Sequence, residues 1–256
     1  LLPTKVEAFT GQRVVAVSAG ARHSLALTAD GAVWSWGAGA DGCLGHGDQQ
    51  RQSLPTKVEA LAAQRVIAVS AGCNHNLAIT ADGAVWSWGS GLFGQLGHGD
   101  QPSQLLPKKV EGLAGQRAIA VSAGSAHNLA LTADGAVWSW GEGEFGQLGH
   151  GDEQSQPLPK NIEGLAVQCV VAVSAGARHS LAIIADGSVW SWGFGGLGQL
   201  GHGDQQIQLL PKKIEAFAGQ RVVAVSAGGG HSLAITADGA VWSWGYGASG
   251  NLGHGD

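Results

Sequence analysis

The stretch VSAGCNHNLAITADGAVWSWGSGLFGQLGHGD, residues 69–100, decides how the rest of this chain is read. It breaks into short pieces. AVSAG is small and β-branched, HNLAIT is apolar, AVWSW is aromatic, and turn residues bound each of them, which is the pattern of strands and not of helices. Between the second and third pieces sits Asp82-Gly83, a dipeptide suited to a tight hairpin because Gly tolerates positive φ. The flanking strands are therefore expected to be antiparallel neighbours.

The same stretch contains GSGLFG, residues 89–94, which fits the GxGxxG spacing of a dinucleotide-binding loop. That chemistry requires a helix after the glycines, with its N-terminus aimed at the pyrophosphate. QLGHGDQPSQLLP follows instead, too rich in Gly and Pro for a helix to start. The spacing also recurs in GAGADG, GEGEFG, GFGGLG and GYGASG. Five copies point to architecture, and no cofactor is expected.

Outward from this stretch the whole chain repeats. Pro3, Pro55, Pro107, Pro159 and Pro211 lie 52 residues apart, as do Trp34, Trp86, Trp138, Trp190 and Trp242. Five units follow without insertion, over residues 1–53, 54–105, 106–157, 158–208 and 209–256, and such a period signals a repeat architecture. Each unit holds four short strand candidates, exemplified by LPTKVEA, RVIAVSAG, HNLAIT and AVWSWG. VVAVSAG and LAIT are small or apolar on both faces, which suits a sheet covered on both sides. The fold class predicted is all-β, a β-propeller of four-stranded antiparallel blades in one domain spanning 1–256. AVSAG belongs at the crowded axis, then HSLALT, then AVWSWG, with the LPTKVEA strand of the next unit outermost. Trp36, Trp88, Trp140, Trp192 and Trp244 are the expected core. Residues 1–9 would lack a preceding blade unless the ring closes, in which case they supply the outer strand of the last blade. The competing expectation is a fragment of a longer ring, or an oligomer where one chain does not close it.

Composition narrows the function. The chain has 256 residues, 44% hydrophobic, with a net charge of −5 and 13% charged residues, so it is globular and offers no basic stripe for nucleic acid. No apolar run reaches the roughly 20 residues needed to cross a bilayer, and no secretory leader is evident. The chain reads as soluble and intracellular, cytoplasmic or nuclear. The 43 Gly, 10 Trp, 10 His and complete absence of Met are unusual, the last fitting a mature, excised or designed chain. Cys43, Cys73 and Cys169 are odd in number and scattered through their units, which argues against disulfides.

The pattern VSAGxxHSLALTADGAVWSWGxGxxGQLGHGD resembles the repeat of the regulator of chromosome condensation family over essentially the whole chain. The resemblance implies a β-propeller, commonly of seven blades, used as a protein-interaction platform. Its members include a guanine nucleotide exchange factor for the GTPase Ran, domains of ubiquitin ligases, and an ultraviolet-B photoreceptor. The exchange factor's inserted wedge has no place in five units of equal length. The photoreceptor's tryptophans precede the repeat His, whereas that segment reads GARH, GCNH, GSAH, GARH and GGGH here.

Two histidine sets recur. His23, His75, His127, His179 and His231 follow the AG turn, on different blades, and opposite members are expected on the order of 10 Å apart, too far for zinc ligands at about 2 Å. They are expected to hydrogen-bond turn backbone. His46, His98, His150, His202 and His254 stand in GHGD turns, and no metal site is expected. Ser24, Ser180 and Ser232 neighbour histidines but become Asn76 and Asn128 elsewhere, which is no basis for a catalytic triad. The expectation is a non-enzymatic scaffold that binds a protein partner, with a purely structural repeat of a larger assembly as the alternative. Variation between units concentrates after the AG turn and after WSWG. Arg22, Arg178, Phe194 and Tyr246 are the leading candidates for contact, followed by Asp41, Phe93, Glu142, Glu144 and Phe145.

Overall fold

The computed structural model describes residues 2–100 and 102–255. Five antiparallel sheets follow one another along the chain. In the second blade the strands run Val66–Ala71, His75–Thr80, Val85–Gly89 and Gln104–Lys109, from the inside outward, the last supplied by the following repeat. The first four blades have four strands and the fifth has three, Val222–Ala227, His231–Thr236 and Val241–Gly245. The outer strand begins and ends earlier than its apolar letters indicate: Gln52–Lys57 includes the Pro, and Glu59–Leu61 turns away as a one-turn helix. Pro55 is tolerated there because an outermost strand need not donate its N–H to a ladder.

Each inner strand contacts the inner strand of the next blade. Small side chains permit this crowding, and the inner-strand ends of all five blades surround one axial mouth of about 260 Å³. No contact of that extent joins the first and fifth inner strands. The expected closure by the N-terminal segment is therefore not observed. Residues 2–6 form no strand, and among the described residues nothing pairs with the outer edge of Val241–Gly245. Phe9 stays with its own blade instead, edge-on to Trp34 and Trp36 at 5.7 and 5.9 Å. Phe217 packs in the same way against Trp242 and Trp244, so this is the ordinary place of the one-turn helix.

What unites the blades is one joint made four times. Leu25, Leu27 and Val33 of the first blade pack with Trp88 and Ala78 of the second, and Val58 and Leu61 close the gap. The following pairs of blades repeat the arrangement around Trp140, Trp192 and Trp244. Trp88, Trp140 and Trp192 are fully buried. Trp36 and Trp244 are only half-buried, the first because among the described residues no blade packs on its outer side, the second because its sheet has three strands there.

Polar bonds align the joint. The imidazole Nε2 of His75 lies 2.7 Å from Oδ1 of Asn128, and Nδ2 of Asn128 donates to the backbone carbonyl of Gln95 at 2.7 Å. Trp140 Nε1 donates to that same carbonyl at 2.9 Å. Where Ser replaces Asn the logic holds: Ser180 Oγ donates to Gln147 O, so it accepts from Nε2 of His127 at 2.9 Å. Both cases require the Nε2–H tautomer. His23, His75, His127 and His179 therefore bond a side chain of the next blade, not turn backbone as the sequence led us to expect. Ser18 Oγ adds a bond from the amide of Ala71, repeated at the next three joints.

Magnitudes rank these contributions. A buried Trp removes about 150–250 Å² from water, or roughly 4–6 kcal/mol, against about 1 kcal/mol net for each hydrogen bond. Apolar packing stabilises the joint and the polar bonds fix its geometry. Trp140→Ala should cost about 3–5 kcal/mol in urea denaturation, and Trp36→Ala distinctly less. Acid should weaken the same joints. Burial pushes His75, His127 and His179 down to about 4, 3 and 4. Each is neutral when folded and takes up a proton more readily when unfolded, so its contribution is complete above the ordinary value near 6.5 and falls as pH drops towards the folded value. Stability measured from pH 7 to 4 should decline, and His127→Gln should flatten that decline.

Candidate functional site

The loop after the third strand and the turn after the inner strand lie on the same side of the ring. Gly89 makes their approach possible: its φ is 102°, and a Cβ there would meet the carbonyl of Asn74 and Cα of His75. Gly94, at φ 73°, turns the loop against Pro157 in the outer strand of the third blade. The glycines that mimic a phosphate loop thus carry the chain across to the next blade.

Gln95, Gln147 and Gln199 then anchor the loop. Each is buried and accepts, through Oε1, the amide of the residue two before it: Phe93 at 2.8 Å, Phe145 at 2.8 Å and Leu197 at 2.9 Å. Their backbone carbonyls are the acceptors of the joint. Leu96 is buried beneath and accepts from Ser87 Oγ at 2.6 Å, leaving that oxygen to accept from His98 Nε2 at 3.1 Å. The GHGD histidines are thus held by the third strand, while Asp48, Asp152 and Asp204 cap their turns through backbone amides. The loops are anchored at both ends, so the surface between them is preformed.

That surface is a groove of about 500 Å³. Asp41, Phe93, Glu142, Arg178 and Phe194 all line it, drawn from four repeats. Phe145 supports its wall, with Phe194 edge-on at 5.4 Å and the Arg178 guanidinium 4.5 Å from its ring centre, a cation–π arrangement. Glu144 is exposed on the same loop, outside the lining. Arg22 and Tyr246 are exposed at either end of the array and do not join the groove. Sequence reasoning missed Leu197, Cys73 and the anchoring glutamines. Leu197 occupies the register of Phe93 and Phe145, a signal that was available, whereas Gln95, Gln147 and Gln199 recur in three successive repeats, with Cys43 and Asn251 in their register, and read as part of the repeat and not as a site.

Electrostatics divides the groove. Burial raises the Glu142 carboxyl above its ordinary value, against the pull of Arg178, and among the described residues its one hydrogen-bond donor is Gln147 Nε2 at 3.2 Å. Asp41 has φ 57°, left-handed backbone that a short polar residue tolerates better than most. Ser180 and Ser232 are sealed inside the joints, each with its proton committed to a carbonyl, whereas Ser24 is half-buried in the first blade and the first joint uses Asn76 instead. No cluster of three metal-ligating side chains occurs among the described residues, and no helix there is long and apolar enough to cross a membrane.

Cysteine chemistry offers a direct check on this geometry. Cys43 is buried, and burial pushes its thiol up to about 11. Cys73 is half-buried in the groove lining and Cys169 is exposed. Titration of the native protein with a thiol reagent at mild alkaline pH should label Cys169 first and Cys73 next, with Cys43 reacting only on unfolding.

Comparison with known proteins agrees with this architecture. Residues 1–256 match the family model described as RCC1-like domain. The chain is 43% identical over 258 residues to human E3 ubiquitin-protein ligase HERC2, covering 99% of this chain and 5% of the ligase. It is 38% identical over 246 residues to Ultraviolet-B receptor UVR8 of Arabidopsis thaliana, covering 96% of this chain and 56% of the receptor. Among solved structures, human WBSCR16 superposes with a TM-score of 0.86 at 30% identity, over 96% of this chain and 65% of that one. The chain thus spans a small part of the ligase and little more than half of the receptor. With the repeat, the joint and the family model all extending from end to end, this chain belongs to the RCC1-like domain family.

Proposed function

We propose that the chain is a protein-interaction module that receives a partner on its loop face, with the groove as the principal contact. The supporting observation is convergence: side chains that differ between otherwise equal repeats are gathered into one preformed groove. The letters that recur from repeat to repeat mostly build joints and anchors, which leaves recognition to those that vary most on the loop face. The preformed floor keeps the ordering cost of binding low. Arg22 and Tyr246 extend the same face beyond the groove and serve as outlying contacts. In this reading the domain positions a partner and performs no chemistry of its own. A second reading, a structural element within a larger assembly, draws support from the bare fifth blade, where Val241 and Trp242 are 72% and 39% exposed.

Native affinity capture separates these readings. Arg178→Ala with Phe194→Ala should abolish recovery of a partner, whereas Arg117→Ala, beside the Asp82 hairpin on the other side of the blades, should leave it intact. Loss only with Arg22→Ala and Tyr246→Ala would move the contact to the outlying positions. Recovery unaffected by all four changes would exclude the loop face.

A further inference from the structure

We propose that the groove takes a cationic segment: an extended stretch of partner polypeptide carrying Lys or Arg beside an apolar side chain. The proposal rests on the reading of the loop face as the partner surface and deepens it by assigning the chemistry of what enters.

Glu142 is the first indication. Its half-buried carboxylate holds a single neutral donor, although a carboxylate can accept several hydrogen bonds. Arg178 is the one cation in the lining, and it does not discharge this demand. Its guanidinium is held over the Phe145 ring, and among the described residues no ion pair within 4.0 Å involves Glu142. The groove is thus left with an acceptor short of charged donors.

Asp41 is the second indication, and it is independent of the first. The corresponding positions of the other repeats are Phe93, Phe145, Leu197 and Ser249, so only the first repeat places a charge there. No side-chain hydrogen bond or ion pair of Asp41 occurs among the described residues, and Asp41 lines the same groove as Glu142. The lining therefore carries two carboxylates against one guanidinium, with Glu144 adding negative charge next to Glu142.

Apolar surface completes the fit. Phe93 is 45% and Leu92 64% exposed, and both line the groove together with Phe194. A Lys or Arg side chain lays its methylene stem on such surface while its head reaches an acceptor. Aromatic faces add attraction for the head group. The floor is built of Ser125, Ala126, Ala177 and Gly229, small residues that let a peptide backbone approach closely. An acidic segment that meets Arg178 would face Glu142 as well, and like charges brought together are repelled. The chain's net charge of −5 steers in the same direction.

The test is selection of short random peptides displayed on phage against the whole chain, compared with Asp41→Asn/Glu142→Gln and with Phe194→Ala. Both acid-to-amide changes conserve shape. Wild type should enrich Lys- or Arg-containing peptides, and the double variant should lose about tenfold in affinity for them by fluorescence anisotropy. Raising salt should weaken wild-type binding more than binding by the double variant. Peptides without basic bias, or rich in Asp and Glu, that still depend on Phe194 would overturn the cationic assignment while leaving the loop face as the contact surface. No enrichment over an uncoated support would overturn both.

Discussion

Everything in this molecule depends on a backbone carbonyl that faces the wrong blade. The carbonyl of Cys43, Gln95, Gln147 or Gln199 leaves its own repeat and accepts from the Trp indole and the Asn or Ser of the next one. A blade is too thin to bury its own aromatic side chains. The loop that carries the carbonyl lays a buried Leu and a Gly edge over the neighbour's Trp, so packing and hydrogen bonding are satisfied by the same few residues. Stability is then approximately a sum of nearest-neighbour terms, as in other repeat proteins.

The same loop also forms the proposed recognition surface. Residues on its inner side are consumed by the joint, and those on its outer side are free to differ. Phe93, Phe145 and Leu197 illustrate the division: their amides are tied to a buried Gln, while their side chains line or flank the groove. A contact surface built in this way needs no flexible loop. Its shape is inherited from the scaffold and its chemistry from a few exposed letters.

Much of this was legible in the sequence, because a period of 52 residues multiplies weak signals by five. Strand order followed from residue size, and the hairpins from Asp-Gly. Other features could not be read. The histidine partner lies 53 residues away, on the next blade, and appears only when registers are known. Whether residues 2–6 meet the last blade is decided by the rotation from blade to blade, a property of inter-blade packing that no single repeat encodes. The groove was half legible: substitution between repeats named Asp41, Phe93, Glu142, Arg178 and Phe194, but nothing in a linear comparison separated them from Arg22 and Tyr246. Arg22 and Tyr246 share the repeat positions of Arg178 and Phe194 but stand in the first and last repeats, outside the groove lining.

The alternation of Asn and Ser within the joint carries a consequence for the order of the blades. Asn76 and Asn128 serve the first two joints, Ser180 and Ser232 the last two, and the hydrogen bonds are of similar length throughout, 2.7 to 2.9 Å. A hydroxyl reaches less far than an amide, so the matching lengths mean that the spacing at each joint is tuned to its own residue. The repeats are equal in length without being interchangeable. Each joint is matched to its own Asn or Ser, so exchanging the two residues between joints would leave a hydrogen bond too long or too crowded.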